Sequence, residues 1–196
     1  MVRYLLTGLF LTCLLSFSWA RRSFFLVDRQ TSRVRKGLGP LGSAFGVALI
    51  GSLLATEELQ SRHVLVAAAG LGLASLALFW SSVRSFGRER PAIAFSGHVP
   101  DELVTRGPYR VVRHPLYVAY MLCWLGGALA VPNVLTIGAP MVLGVYYVVA
   151  ARSEELAISQ SSLGPAYSRY RAQTAMFLPF PGFVRRLSSR LNDWEL

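Results

Sequence analysis

Long apolar stretches alternate with shorter polar ones along the chain, and this pattern predicts membrane-spanning helices. A helix needs about 20 apolar residues to cross the hydrocarbon core of a bilayer. Five stretches reach or approach that length, and the glycine and alanine in the second to fifth favour close helix packing. The five predicted spans cover residues 2–20, 38–56, 64–83, 115–131 and 134–151.

Composition supports the same class of protein. Hydrophobic residues make up 53% of the chain, charged residues only 15%, and the mean hydropathy is +0.43. We therefore expect an all-α fold: a polytopic membrane helix bundle of about five transmembrane helices, with a polar loop and a C-terminal helix on one face. At 196 residues this is one domain, 1–196, with three spans in 1–83 and a loop, a helical hairpin and a tail in 84–196.

The basic residues predict the orientation of the bundle. Of the 20 Lys and Arg residues, all but Arg3 and Arg62 fall in the first loop, in the third loop or after the fifth span. Basic residues beside spans are retained on the cytoplasmic side, so the N-terminus is expected outside and the C-terminus inside. Topology and attraction to anionic membrane lipids account for the net charge of +10, and no nucleic-acid partner is assigned. A cleaved signal peptide ending near Ala20 is the less favoured interpretation of the first span.

A polar loop over residues 84–114 leads into the fourth span through His114 and Pro115. Proline suits the first position of a helix, and His114 would be the cap. The free N–H groups of that first turn, with Arg113 beside them, form a candidate anion site for a carboxylate or a phosphate. The alternative is that Arg110, Arg113 and His114 are membrane-surface anchors.

Two glutamates, Glu154 and Glu155, follow the fifth span where a further helix is expected to begin. Paired carboxylates at that depth are costly unless they meet a cation. The tight turn predicted at residues 132–133 makes spans four and five an antiparallel hairpin, so the glutamates can approach His114 and Tyr117. Such a site suits a zwitterionic ligand with an additional positive centre.

In order and spacing, these residues resemble the isoprenylcysteine carboxyl methyltransferase and phospholipid methyltransferase superfamily of integral membrane enzymes. The resemblance covers about residues 101 to 180 and is specific as a set. It rests on Leu103, Val104, Gly107, Tyr109, Arg113, His114, Pro115, Tyr117, Glu154, Glu155, Gly164, Tyr167, Tyr170 and Pro179.

The resemblance implies a cytoplasmic site for S-adenosylmethionine and a lipophilic or lipid-modified acceptor that enters from the bilayer. Glu155, nine residues before Gly164, would be the cofactor-binding glutamate, and the register that uses Glu154 stays open. Arg113 would position the substrate. The other cofactor-binding residues implied are Asp101, Glu102, Leu103, Val104, Tyr109, His114, Pro115, Leu116 and Tyr117.

Two departures from the family pattern bear on the acceptor. Carboxyl methyltransferases of the family carry an arginine four residues before the cofactor glutamate, where this chain has Ala151, or Ala150 in the other register. A second basic position of the family falls near Met176. These departures count against recognition of a carboxylate. They favour a neutral, amine, phenol, thiol or phospholipid acceptor instead.

Two other functions remain open. The sterol reductase family shares this architecture and uses NADPH, but its motif continues with Asn after His-Pro, where this chain has Leu116. A non-catalytic lipid-binding membrane protein is the second alternative. His63 and His98 have no ligand-like spacing to a second His, Cys or acidic residue, so no metal site is assigned.

Overall fold

The computed structural model describes residues 1–23, 33–57, 60–86 and 102–179, and in these ranges the chain is helical. By length and composition, three helices could cross a membrane: Val2–Arg21, Arg62–Ser85 and Val134–Ser159. Gly39–Ala55 and Pro115–Ala130 are apolar but shorter. The expected all-α membrane helix bundle is confirmed. The elements are α1 (Val2–Ser23), α2 (Arg33–Ala55), α3 (Arg62–Ser85), a 3-10 helix (Gly107–Arg110), α4 (Pro115–Ala130), α5 (Val134–Ser159) and α6 (Gly164–Gln173).

The fifth helix is longer than its apolar stretch. The prediction that a new helix begins after residue 151 is wrong, because α5 continues without a break to Ser159. No glycine or proline occurs between Ala151 and Gly164, and the intervening Glu, Leu and Ala residues favour a helix. Glu154 and Glu155 consequently lie on the same continuous helix as the apolar part of α5.

The turn between α4 and α5 is as tight as predicted. Helix α4 ends at Ala130 and α5 begins at Val134. The Asn133 side chain accepts hydrogen bonds from the backbone N–H groups of Leu135 and Thr136, both at 3.0 Å, and the Thr136 hydroxyl accepts from the Asn133 N–H at 2.9 Å. This reciprocal capping satisfies donors that the start of a helix otherwise leaves unpaired.

Hydrogen bonds show which helix ends lie together. At one end of the bundle, Arg3 in α1 donates to the carbonyl of Thr56 at 2.9 Å, and Asn133 donates to the hydroxyl of Ser52 in α2 at 2.9 Å. The start of α1, the end of α2 and the α4–α5 turn are thus neighbours. The last residues of α3 and the start of α4 lie at the opposite end, so consecutive membrane helices run antiparallel.

The centre of the bundle is apolar and closely packed. Phe10, Leu49, Cys123 and Leu143, from four different helices, are almost completely buried. Helices α3 and α4 are tied within this interior by the Ser75 hydroxyl, which donates to the Ala119 carbonyl at 2.7 Å. Small hydroxyl residues are common where membrane helices approach closely.

A short segment carries the chain from α3 towards α4 and is fixed at Arg106 and Gly107. Arg106 donates from Nε to the carbonyl of Ser85 at 2.7 Å, so it caps the C-terminus of α3. Gly107 has φ of +58°, a left-handed conformation that other residues adopt at a cost. A Cβ atom at Gly107 would also collide with the Ser85 hydroxyl. Gly107 therefore sets the path of the 3-10 helix that carries Tyr109.

Replacing Gly107 with alanine is expected to lower the free energy of unfolding by about 1 to 3 kcal/mol, because the left-handed backbone and the Ser85 contact both become unfavourable. Thermal unfolding of the detergent-purified protein measures the effect. Gly138→Ala is the matched control: its Cβ would meet no atom within 4 Å, and it lies inside a helix, so stability is expected to be unchanged or raised. Equal destabilisation by both variants would contradict this role for Gly107.

Candidate active site

The start of α4, the end of α5 and the segment after α6 converge at one end of the bundle. The backbone N–H of Arg113 donates to the carbonyl of Ala175 at 2.8 Å, and the N–H of His114 donates to the carbonyl of Met176 at 3.2 Å. This parallel pairing centres on an isolated bridge between Val112 and Ala175. It holds the chain entering α4 against residues more than 60 positions later in the sequence.

Glu155 is the buried centre of the site. Its Oε1 atom lies 2.8 Å from Nε of Arg113 and 3.1 Å from Nε2 of His114. Arg113 also donates from Nη1 to the carbonyls of Thr174 and, at 3.4 Å, Arg171. A carboxylate at this depth needs charged and hydrogen-bonding partners, and these groups supply them.

Glu154 is oriented differently and is more accessible. Its Oε1 accepts a hydrogen bond from the Tyr117 hydroxyl at 2.6 Å, and its Oε2 lies 3.6 Å from Nδ1 of His114. The Glu154 side chain is 29% exposed, against 9% for Glu155. The His114 imidazole thus lies between two carboxylates, one buried and one partly open. We call Arg113, His114, Glu154 and Glu155 the ionic cluster.

Aromatic rings extend from the ionic cluster into the bundle. His114 stacks on Tyr117 with ring centroids 5.6 Å apart, and Tyr117 stacks on Tyr147 of α5 at 5.2 Å and an interplanar angle of 12°. Phe177 packs against His114 from the segment after α6, at 5.8 Å. These rings line the inner side of the cluster with apolar surface, and ionic interactions are stronger in apolar surroundings than in water.

Tyr109 joins the 3-10 helix to α6. Its ring is buried against Phe86 at 5.3 Å, and its carbonyl accepts a hydrogen bond from the Tyr170 hydroxyl at 2.6 Å. Burial raises the pKa of both tyrosines above the ordinary value, so both phenols stay protonated at neutral pH. Gly164, at the start of α6, allows a close approach to the Ser159 carbonyl that a Cβ atom would block.

The structure brings together the central residues of the predicted site. Arg113, His114, Tyr117, Glu154 and Glu155 are joined through one set of contacts, and His114 is the cap residue of α4 as expected. The expected pairing of Arg113 with a bound anion takes another form, because the anion beside it is the protein's own Glu155. In the part of the chain that the structure describes, no group of three or more His, Cys, Asp or Glu residues could hold a metal ion.

The remaining predicted residues lie around this centre. Pro115 is fully buried at the start of α4, whereas Leu116 packs towards the apolar group of Phe79 and Val83. Leu103 and Val104 are half-buried and Glu102 is exposed. Asp101 and His98 lie outside the described residues.

Several groups that form the site were not predicted from the sequence. The carbonyls of residues 171 and 174–176 give no side-chain signal, so nothing in the sequence identified them. Tyr147 did have a signal, because it precedes Glu154 by seven residues and so lies on the same face of a continuous α5. Trp124, which donates to the Tyr147 hydroxyl at 3.2 Å, was likewise not singled out.

The fold and the site together define a helical membrane protein with a buried ionic cluster where one end of the bundle meets a polar segment. The chain belongs to the phospholipid methyltransferase family, which it matches over residues 63–161. This family is part of the isoprenylcysteine carboxyl methyltransferase and phospholipid methyltransferase superfamily, as the motif resemblance predicted. The matched range runs from α3 to just beyond α5 and contains the whole ionic cluster.

Two curated proteins that are similar to this chain are named as metal resistance proteins. The chain is 32% identical over 108 residues to the cobalt-zinc-cadmium resistance protein CzcN of Cupriavidus metallidurans, which covers 55% of this chain and 49% of that protein. It is 30% identical over 146 residues to the nickel-cobalt-cadmium resistance protein NccN of Alcaligenes xylosoxydans xylosoxydans, covering 74% and 66%. The match therefore spans about half of the first relative and 66% of the second.

Proposed function

We propose that this protein is an integral membrane methyltransferase that transfers a methyl group from S-adenosylmethionine to a lipophilic acceptor. The observation that carries the proposal is the ionic cluster, in which two glutamates surround the histidine that begins α4. The cluster lies inside the range matched by a methyltransferase family. Membership of the phospholipid methyltransferase family favours methyl transfer as the reaction, and enzymes of this family generally use S-adenosylmethionine.

The groups available in the cluster fit the methionine part of such a cofactor. Glu154 is partly exposed, and its Oε2 atom is not held by the Tyr117 hydroxyl, so it can accept from an ammonium group. Among the described residues, the backbone N–H groups of Leu116 and Tyr117 in the first turn of α4 have no hydrogen-bond partner. These N–H groups suit a carboxylate. The first turn of α4 thus offers donors for the carboxylate, and Glu154, which contacts His114 and Tyr117 of the same segment, offers an acceptor for the ammonium.

The protein's own contribution to the reaction is positioning. When bound, S-adenosylmethionine would supply an activated methyl group that the acceptor's lone pair would take from sulfur. Glu155 and Arg113 hold His114 and the start of α4 in place, and the rings of Tyr117 and Phe177 cover the His114 imidazole and would keep water from it. Orientation and exclusion of water are the main sources of rate for such a displacement. An acceptor that carries a proton on the methylated atom releases it to a base.

We place this site at the cytoplasmic face of the membrane. The helix ends that surround it adjoin the loops and tail that hold nearly all of the basic residues, and such residues are retained on the cytoplasmic side. The same rule puts the N-terminus outside. The basic residues would also attract anionic membrane lipids.

The surroundings of the cluster do not favour a carboxylate acceptor. Ala150 and Ala151, the positions that correspond to the family's arginine, are completely buried and offer no cation. Arg113 is engaged by Glu155 and by carbonyls, and the Met176 side chain is packed against the apolar core. A substrate-positioning role for Arg113 stays a prediction. The acceptor is therefore better sought among lipophilic molecules without a reacting carboxylate.

Calorimetric titration of the detergent-purified protein with S-adenosylmethionine and, separately, with NADPH tests the proposal. We expect micromolar affinity for S-adenosylmethionine, abolished by His114→Ala, and no binding of NADPH. Binding of NADPH alone would identify a reductase. Binding of neither ligand would support the non-catalytic lipid-binding alternative and overturn the proposal.

A further inference from the structure

A buried tyrosine hydroxyl lies deeper in the bundle than the ionic cluster and is not needed by it. Tyr147 of α5 is 7% exposed, and its hydroxyl oxygen accepts the indole N–H of Trp124 at 3.2 Å. Within the described residues, its own O–H has no hydrogen-bond acceptor. Buried donors are almost always paired, because leaving one unpaired is costly. Trp124 therefore positions the Tyr147 hydroxyl, whose own hydrogen has no acceptor among the described residues.

The position of this donor relates it to the proposed reaction. Tyr147 precedes Glu154 by two helical turns on the same face of α5, roughly 10 Å along the helix axis. Its ring stacks on Tyr117, whose hydroxyl binds Glu154. Trp124 likewise lies two turns beyond Tyr117 on α4. Both helices therefore place the Tyr147–Trp124 pair on the membrane side of the ionic cluster, where the apolar body of an acceptor would lie.

The chemistry of the pair indicates what it would bind. The described residues that pack around it are aromatic and apolar, including Tyr120 with its ring 5.7 Å from Tyr147 and the small Ala150 and Ala151. A neutral O–H donor in such surroundings suits an uncharged carbonyl or ether oxygen. It does not suit a carboxylate or a phosphate, because no cation among the described residues contacts it to compensate a buried charge.

We propose that Tyr147, oriented by Trp124, is the specificity-determining anchor for the acceptor. It donates a hydrogen bond to an uncharged carbonyl or ether oxygen within the acceptor's apolar body, about two helical turns from the atom that is methylated. The inference rests on the proposed methyl transfer. It narrows the substrate class to lipophilic molecules that carry an uncharged oxygen in addition to the group that is methylated. The anchor sets how deeply the acceptor is seated, so that its reacting group reaches the ionic cluster.

The test follows transfer of labelled methyl from S-adenosylmethionine to a total lipid extract of the expression host, in the presence of the full-length protein. Tyr147→Phe keeps the stacked ring and removes only the hydroxyl. It is expected to raise the half-saturating lipid concentration about ten-fold, with the maximal rate and the Kd for S-adenosylmethionine unchanged within about two-fold. Mass spectrometry of the labelled product is expected to show a carbonyl or ether oxygen within the apolar body.

Trp124 acts through Tyr147, so a variant of Trp124 provides a second test of the same hydrogen bond. Trp124→Phe alone is expected to raise the half-saturating lipid concentration about three-fold, and the double variant to match Tyr147→Phe, because the two residues serve one interaction. Tyr4→Phe, the control, removes an exposed tyrosine hydroxyl at the opposite end of the bundle and should leave all three parameters unchanged.

Three results would overturn the anchor. They are an unchanged half-saturating concentration in Tyr147→Phe, a loss of affinity for S-adenosylmethionine in that variant, and a labelled product without an oxygen in its apolar body. A wild-type protein that binds S-adenosylmethionine but labels no lipid would instead count against the proposed function.

Discussion

Replacing Glu155 with alanine is expected to weaken S-adenosylmethionine binding at least about a hundred-fold and to destabilise the protein. Glu155 is the shared partner of Arg113 and His114, at 2.8 Å and 3.1 Å. Without it the buried guanidinium has no carboxylate partner among the described residues, and removing one member of a buried ion pair typically costs about 3 to 5 kcal/mol. Calorimetry measures the affinity, and thermal unfolding in detergent measures the stability.

Two further variants separate binding from folding. Glu154→Gln keeps an acceptor for the Tyr117 hydroxyl and removes the charge of the more exposed carboxylate, so it is expected to lose cofactor affinity with little change in stability. Glu57→Ala, an exposed glutamate at the other end of the bundle, is the control and should change neither quantity. If Glu155→Ala kept its cofactor affinity within about two-fold, Glu155 would not support the cofactor site.

Replacing Arg113 with lysine is expected to lower S-adenosylmethionine affinity about ten-fold and to expose the segment after α6 to protease, although the charge is kept. The guanidinium binds Glu155 through Nε and the carbonyls of Thr174 and Arg171 through Nη1. A lysine ammonium cannot reproduce this planar arrangement of donors. Calorimetry gives the affinity, and limited proteolysis with mass mapping gives the cleavage sites.

Arg169→Lys is the matched control for this substitution. Arg169 is exposed on α6, and no hydrogen bond or ion pair is found for it within the described part of the chain, so its replacement should alter neither affinity nor cleavage. A proteolysis pattern shared by both variants would show that the Arg113 contacts do not hold the segment after α6.

Much of the fold was predictable because a membrane helix depends on local properties. Apolar length alone indicates a span, and a backbone that satisfies its own hydrogen bonds within a helix needs no distant partner. The α4–α5 turn was equally local, since Pro132 and Asn133 end one helix and cap the next. The true end of α5 was missed because hydropathy falls at Arg152, whereas helix geometry persists until the chain reaches Ser159.

The site was predictable only where side-chain chemistry had a pattern. The hairpin brings Glu154 and Glu155 to His114 and Tyr117, and the sequence anticipated this meeting. It did not anticipate that Arg113 would bind Glu155, because the choice of partner for a buried cation depends on three-dimensional packing. The backbone pairing of Arg113 and His114 with Ala175 and Met176 could not be read at all, because carbonyl groups are the same in every residue.

That pairing has a consequence for biogenesis. The ionic cluster draws on backbone carbonyls that follow the last membrane helix, at residues 171 and 174 for Arg113 and at residue 176 for His114. In the part of the chain that the structure describes, all five apolar helices precede these residues, so the ionic cluster can form only after α5 and α6 have been synthesised. A chain that is still being synthesised therefore cannot complete the ionic cluster until the segment after α6 is available.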